Sequence, residues 1–246
     1  MIPPLPQDEP KRLETLRQYQ ILDTPSENLF DDLTQLASGV CEAPIAVIVF
    51  IDDHRQWIKS KIGVSPTETP RESAICAHAI LQRQPLIIHD TASDPRVSDN
   101  PWVISDPHVR FYAGAPLLTP EGHALGTVCV MDYAPRELRP QQIEGLQTIA
   151  HETMMLLDLR RQLTALSRMV TGLRQAEEAL QMYQFSLEHA PEGVFFMTRD
   201  AGFSYVNEQA CRSLGYTRDE LMRLKLWDID PIYPKENWEK TWTQRQ

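Results

Sequence analysis

Within Arg71–Leu81, which reads RESAICAHAIL, a cysteine stands two residues before a histidine. Cys76 and His78 are the types that make a nucleophile with its base, half a metal site, a pigment anchor or a pocket lining. Their spacing decides among these. Thr69, Pro70 and Glu72 have the pattern of an N-cap, a first helical residue and a closing capping box, so a helix is predicted over 70–82. Side chains at i and i+2 of a helix point nearly opposite ways. Cys76 then shares a face with Glu72 and Ile80, and His78 with Ala74 and Leu81. That removes a Cys–His dyad and a two-ligand metal site built from this pair alone, and leaves the lining role. A thiol on a semi-apolar face behaves as a small buried hydrophobe.

The other thiols, Cys41, Cys129 and Cys211, lie far apart and form no CxxC. Reduced thiols are expected, with neither a disulfide framework nor a zinc or other metal site. Cys129 stands in the apolar run TVCVM, where burial raises a thiol's pKa and makes it inert.

The elements that position these residues follow from patterning. The 246 residues are 42% hydrophobic and 24% charged, an ordinary globular balance. A net charge of −10 leaves no footprint for nucleic acid. No apolar run reaches the roughly 18 residues of a membrane span, and MIPPLPQDEPKR has no apolar segment after a basic one. A cytoplasmic protein is expected.

KRLETLRQYQIL reads as a short amphipathic helix. A second helix is predicted after the capping pattern of Thr24, Pro25 and Glu27, burying Leu29, Leu33, Leu36 and Val40. IAVIVFID is a central strand and QWIKSKIG its hairpin partner. PLIIHD is a short strand leading into TASDPRVSDNPWVISDPH, a connection long enough to be a functional loop with one helical turn after Asn100. RFYAGAPLL and HALGTVCVMD are strands joined by the turn TPEG. Hairpin-paired strands with helices on one side make an antiparallel α+β domain.

From Gln141 the period changes. Leu159, Leu166, Leu173, Leu180 and Leu187 recur every seventh residue, with Leu156, Leu163 and Val170 on the alternate seam, a heptad signature for a dimeric coiled coil. Leu156 to Leu187 spans about 47 Å at 1.5 Å per residue, too long to pack on one small domain. Glu177 and Gln184 at later seam positions weaken it there. Beyond, GVFFMTRDAGFSYVN is a hairpin bending at Asp200–Gly202, followed by two short helices, the second capped by Thr217 and Glu220.

Taken in order, VFIDDHRQWIKSKIG, ETPRESAICAHAIL, PLIIHDTASDPRVSDNPWV, HVRFYAGAPLLTPEGHALGTVCVMD and PRELRPQQIEGL resemble the GAF domains of bacterial sensor proteins. The segment SLEHAPEGVFFMTRDAGFSYVNEQACRSLGYTRDEL resembles the first half of a PAS domain. The resemblance implies a Pro-rich segment and short helix at 1–27, a GAF domain at 28–155, a coiled-coil signalling helix at 156–187 and a truncated PAS domain at 188–246. The expected fold class is therefore α+β: a GAF-type antiparallel sheet with helices, a long coiled-coil helix, and an incomplete PAS-type domain.

The resemblance further implies sensing and relay, as in the front ends of sensor histidine kinases and diguanylate cyclases. A homodimer, a small-molecule ligand and a downstream output domain or partner kinase are the implied partners. The chain itself is expected to be no enzyme. His151-Glu152-Thr153 resembles the phospho-acceptor of histidine kinases but lacks the Arg-Thr-Pro that follows there. ISDPHVRFYAGAPL holds His108 without the cysteine that anchors a bilin, so a covalent pigment is not expected and the cofactor is unassigned. The candidate pocket residues are Trp57, Cys76, His78, Asp90, Arg110 and Tyr112. The alternatives are a constitutive dimerisation scaffold and a GAF-fold reductase of free methionine sulfoxide using Cys76 and Cys129.

Overall fold

A computed structural model of the chain describes residues 2–230 together with 232, 235 and 238. The end of the expected PAS half, from 231 apart from those three residues, lies outside the described residues. The chain divides into two compact units, Met1–Ala165 and Leu166–Gln246.

The first unit is built on a six-stranded antiparallel sheet of β1 (Ile45–Ile51), β2 (Arg55–Ile62), β3 (Glu68–Pro70), β4 (Leu86–Ile88), β5 (Phe111–Leu118) and β6 (Ala124–Asp132). Their order across the sheet is β3-β2-β1-β6-β5-β4. The apolar run of β1 is buried at every position, as a central strand covered on both faces must be. One face packs against α1 (Glu9–Tyr19), α2 (Asn28–Cys41) and the root of α5 (Pro140–Glu188), burying Leu16, Phe30, Phe50, Trp57, Leu146 and Leu157. The other face is covered by α3 (Cys76–Ala79) and the 89–110 connection, which contains α4 (Pro101–Ile104). Asn100 caps α4 through Trp102 N, the helical turn expected there. The fold is therefore α+β, an antiparallel sheet between layers of helix and loop, followed in the chain by a long helix and a small α+β region.

Three local expectations are corrected. The single helix over 70–82 does not form: Thr69 and Pro70 pair with Gln56 and Arg55 as edge strand β3. A 3₁₀ turn at Arg71–Ser73, an extended Ala74 and the one turn of α3 follow. Proline suits a strand edge, where no N–H is required of it. Buried Arg71 holds the turn by donating to Glu9 Oε1 at 2.5 Å and to Asp52 O at 2.9 Å. Likewise Thr24 and Glu27 do not cap α2 as a box. The Thr24 hydroxyl donates to Ile21 O, and both side chains bind the Lys59 ammonium. Finally, α2 is turned one residue from the expected face. Phe30, Thr34, Ala37 and Cys41 are buried, Leu33 and Val40 only partly, and Leu29 and Leu36 are exposed. Small residues let the helix approach the sheet closely, which the leucine stripe would prevent.

Helix α5 is 49 residues, about 74 Å at the α-helical rise. Its buried residues end at Leu157, with Leu156 partly buried against the same core. Gly145 brings the root of α5 close to α2, since a Cβ there would lie 2.6 Å from Val40 Cγ1. Every residue from 161 to 186 is exposed, including Leu163, Leu166, Val170, Leu173 and Leu180.

In the second unit, β7 (Phe195–Met197) and β8 (Phe203–Val206) form a hairpin bending at Asp200–Gly202, followed by α6 (Glu208–Leu214), α7 (Arg218–Leu221) and α8 (Leu226–Ile229). Thr217 and Glu220 make the expected capping box on α7. The hairpin's small core is Phe203, Val206, Ala210 and Leu221.

Candidate functional site

Strand alternation sends Val47, Gln56, Ile58, Tyr112 and Met131 to the face opposite the long helices, where Val64, Thr69 and Ser73–Cys76 stand over them. Trp102 from α4 completes the wall, and Asn100 Nδ2 fastens that loop by donating to Ser73 O at 2.8 Å. They enclose a cavity of about 20 Å³, room for roughly one water molecule.

The walls, and Thr127 on β6 close to Cys76, carry polar atoms without partners among the described residues. Gln56 Oε1, Thr69 Oγ1, Tyr112 OH and Thr127 Oγ1 are buried without a hydrogen-bond partner among the described residues. Gln56 and Thr69 are direct cross-strand neighbours, so two of the residues with orphaned atoms stand side by side at one edge of the cavity. Each such atom costs about 1–3 kcal/mol, a burden a site carries when a ligand or bound water relieves it. The Tyr112 ring lies along β5 over Gly114, where a Cβ would stand 2.2 Å from the phenolic oxygen. Any larger residue at 114 would expel the ring.

Beside Tyr112, Cys76 Sγ and Cys129 Sγ approach to 3.4 Å as free thiols. Burial pushes the Cys76 thiol up, but Cys129, Thr127 and Tyr112 as donors to its thiolate outweigh this and leave it below its ordinary value. Burial, then the adjacent Cys76 charge, pushes Cys129 well up. Burial and the two sulfurs do the same to the Tyr112 hydroxyl. Cys41, on the helix-covered face, is raised by burial to about 11.

Of the six residues expected to line a pocket, Cys76 and Tyr112 do so. Trp57 faces the other side of the sheet, its ring 6.2 Å from that of Phe50. Asp90 accepts from Ala92 N and the Ser93 hydroxyl, and Arg110 donates to Val103 O and Val109 O. Both shape the loop rather than the cavity. His78, half-buried, projects from the far side of the α3 turn. Gln56, Thr69 and Trp102 of the lining, and Thr127 near Cys76, were not foreseen. The alternation Gln56-Trp57-Ile58 carries the signal for Gln56, but Thr69 reads as a helix cap and Thr127 as strand filler.

On the opposite face, β2 reaches toward α5. Alternation places Lys59 with Trp57 on the helix-covered face, and its ammonium donates to Glu27 Oε1 at 2.7 Å and Pro25 O at 2.6 Å. The same Glu27 oxygen lies 3.5 Å from Arg160 on α5. Tyr19 of α1 donates to Asp158 of α5 at 2.9 Å; burial and then Asp158 push its hydroxyl up to about 12. In the second unit, fully buried Asn207 accepts from Val194 N and Ala210 N, and donates to Leu187 O and Glu192 O. Glu188 accepts from Tyr205 and Arg218. The last turn of α5 is thus bonded to the hairpin that follows it.

Among the described residues, no three His, Cys, Asp or Glu converge as metal ligands, and no helix is long and apolar enough to cross a membrane.

Comparison with known proteins finds the GAF domain model over residues 25–157 and the PAS fold model over residues 181–233. The chain is 30% identical over 257 aligned positions to a cyclic di-GMP phosphodiesterase of Pseudomonas aeruginosa, covering 97% of this chain and 44% of that protein. The chain thus spans under half the length of that curated relative. Among solved structures it is similar to the blue-light absorbing form of the Thermosynechococcus elongatus PixJ GAF domain, with 14% identity, a TM-score of 0.49, and 66% of this chain and 96% of that one covered. It is also similar to the GAF domain of an Acinetobacter phosphoenolpyruvate-protein phosphotransferase, with 12% identity, a TM-score of 0.47, and coverage of 63% and 98%.

Proposed function

This chain belongs to the GAF domain family, and from that premise we propose that it is the sensory input region of a cytoplasmic signal-transduction protein. Its GAF domain takes a small neutral polar ligand and passes the binding event along a dimeric helix to PAS and output domains. The observation that carries this reading is the group of orphaned polar atoms on Gln56, Thr69 and Tyr112 around one cavity. The lining holds no ionised side chain, which favours an uncharged hydrogen-bonding molecule over an anion. The closed volume is small, so anything beyond the size of water enters with movement of the Trp102 loop.

Relay follows from bonding. Strand β2 carries Gln56 at the cavity and Lys59 on the opposite side, and Lys59 meets Glu27 beside Arg160 on α5. A ligand that shifts β2 biases the root of α5 by its differential affinity for two arrangements, typically about 1–3 kcal/mol. The exposed seam from Leu159 to Leu180 supports a homodimer, because an apolar stripe of that length in water calls for a second copy. A histidine-kinase output, one expectation from the sequence, gains no support over others. The Pseudomonas relative, a cyclic di-GMP phosphodiesterase, favours an output that turns over cyclic di-GMP.

Thermal-shift screening of the purified chain with small neutral polar compounds tests the sensing step. A hit must raise the melting temperature, and Gln56→Leu and Tyr112→Phe must each abolish that rise without lowering the ligand-free value. Silence across the screen, with a dimer intact, supports instead the constitutive scaffold, a reading the cavity's small volume favours.

A further inference from the structure

Cys76 belongs to the one-turn helix α3 and Cys129 to the middle of β6, far apart in sequence, yet their sulfurs lie 3.4 Å apart. A disulfide needs about 2.05 Å, so closing the bond asks the two sulfurs to move about 1.4 Å together, within reach of a rotamer adjustment in a one-turn helix. Cys76 lines the cavity; Cys129 lies behind it, fully buried. The cavity has room for about one water molecule, so hydrogen peroxide, with its second oxygen, reaches Cys76 with the same movement of the Trp102 loop, and bulky thiol reagents are excluded. Tyr112 OH and Thr127 Oγ1, both fully buried and without a hydrogen-bond partner among the described residues, stand beside the Cys76 sulfur as donors available to its thiolate. Buried thiols without such donors are inert, which distinguishes this pair from Cys41.

We propose that Cys76 and Cys129 are a peroxide-oxidised thiol pair, with Cys76 the attacking and Cys129 the resolving residue. Cys76 thiolate attacks one oxygen of hydrogen peroxide. The O–O bond breaks, Cys76 becomes a sulfenic acid, and the departing hydroxide takes up the thiol's proton as water. Cys129 sulfur then attacks Cys76 Sγ. The S–S bond forms, the S–O bond breaks, and the second hydroxide leaves as water with the Cys129 proton. Two thiols and one peroxide give one disulfide and two waters. The bond ties α3 to β6 and takes from Tyr112 and Thr127 the thiolate they would solvate. The inference stands on the sulfur geometry and is independent of which ligand, if any, the cavity takes.

The test treats the intact chain with stoichiometric hydrogen peroxide, unfolds it in a maleimide, and maps the thiols by mass spectrometry without reduction. The expected result is loss of two of the four alkylatable thiols, and a Cys76–Cys129 cross-linked peptide lighter by two hydrogens. Cys129→Ser should leave one added oxygen on Cys76, and Cys76→Ser should leave Cys129 fully alkylated. If Cys129→Ser does not fold, the wild-type peptide map alone decides. Recovery of both thiols alkylated, cross-links running only through Cys41 or Cys211, or Cys76 carried to sulfinate beside a free Cys129 overturns the proposal.

Discussion

The ammonium of Lys59, on a wholly buried side chain, lies 2.7 Å from the Glu27 carboxylate, and that same oxygen faces Arg160 of α5 at 3.5 Å. A strand that lines the cavity is thereby joined through one carboxylate to the helix that leaves the domain.

Removing one partner of a buried pair costs more than the pair contributes, because a charge is stranded. Glu27→Ala should destabilise the first unit by about 2 kcal/mol, below the usual 3–5 because over a third of Glu27 remains in water. Lys59→Met, which strands no buried charge, should cost less. Urea denaturation of both variants checks the order, and the reverse order would remove Lys59 as the buried end of the path.

Glu9 is held by Arg12 and Arg71 inside the fold. Burial alone would raise its carboxyl, but the two guanidiniums outweigh it and keep it below the ordinary 4.5. A carboxyl lowered on folding stabilises above 4.5, and that contribution is lost as pH falls through the lower folded value. Acid melts should therefore loosen the contact of α1 with Arg71 in that window. In Glu9→Gln this part of the pH dependence should vanish; a wild-type slope in that variant counts against the assignment.

Tyr112→Phe removes a buried hydroxyl with no partner among the described residues. The ligand-free chain should gain about 1 kcal/mol, since the desolvation penalty disappears with the group. A drop in melting temperature instead would mean that the hydroxyl is already bonded, as by an ordered water in the cavity.

The exposed leucines of α5 are the seam of the proposed dimer. Leu166→Glu with Leu173→Glu should convert a dimer to monomer at micromolar concentration, each buried leucine lost from a packed seam costing about 2–5 kcal/mol. Light scattering coupled to gel filtration reads the state. Arg168→Pro, costing about 3 kcal/mol within the helix, should disconnect downstream output while residues 1–157 melt as before.

Asn207 makes four hydrogen bonds at the end of α5. Asn207→Ala leaves the carbonyls of Leu187 and Glu192 without that donor and should cost the hairpin unit about 2–3 kcal/mol. Hydrogen exchange should quicken over 194–214 and stay unchanged in the sheet of the first unit; uniform quickening would mean the damage is not local.

Much of this architecture is written in local pattern. The apolar run Ile45–Ile51, the TPEG turn and the Asn100 cap are short-range codes, and each forms the element it encodes; the heptad segment lies within the single helix α5. The cavity was half legible: Cys76 and Tyr112 are identifiable as lining candidates, whereas Trp57, Asp90 and Arg110 serve the other face or the loop. Periodicity marks which residues share a side, but not which side meets the cavity.

What the linear chain settled alone is the kind of molecule: strands that pair as hairpins, a seam of leucines, and an acidic, span-free composition. What folding decided is every case where two local codes competed. Thr69-Pro70 is a sound helix start that became an edge strand because Gln56 and Arg55 offered pairing partners. Helix α2 turned Leu29 and Leu36 outward because Thr34 and Ala37 allow a closer approach to the sheet. Cys76 and Cys129 carry no mark of each other in sequence; their 3.4 Å approach exists because β6 and the α3 turn pack on one face, and such long-range packing overrides a weak local preference.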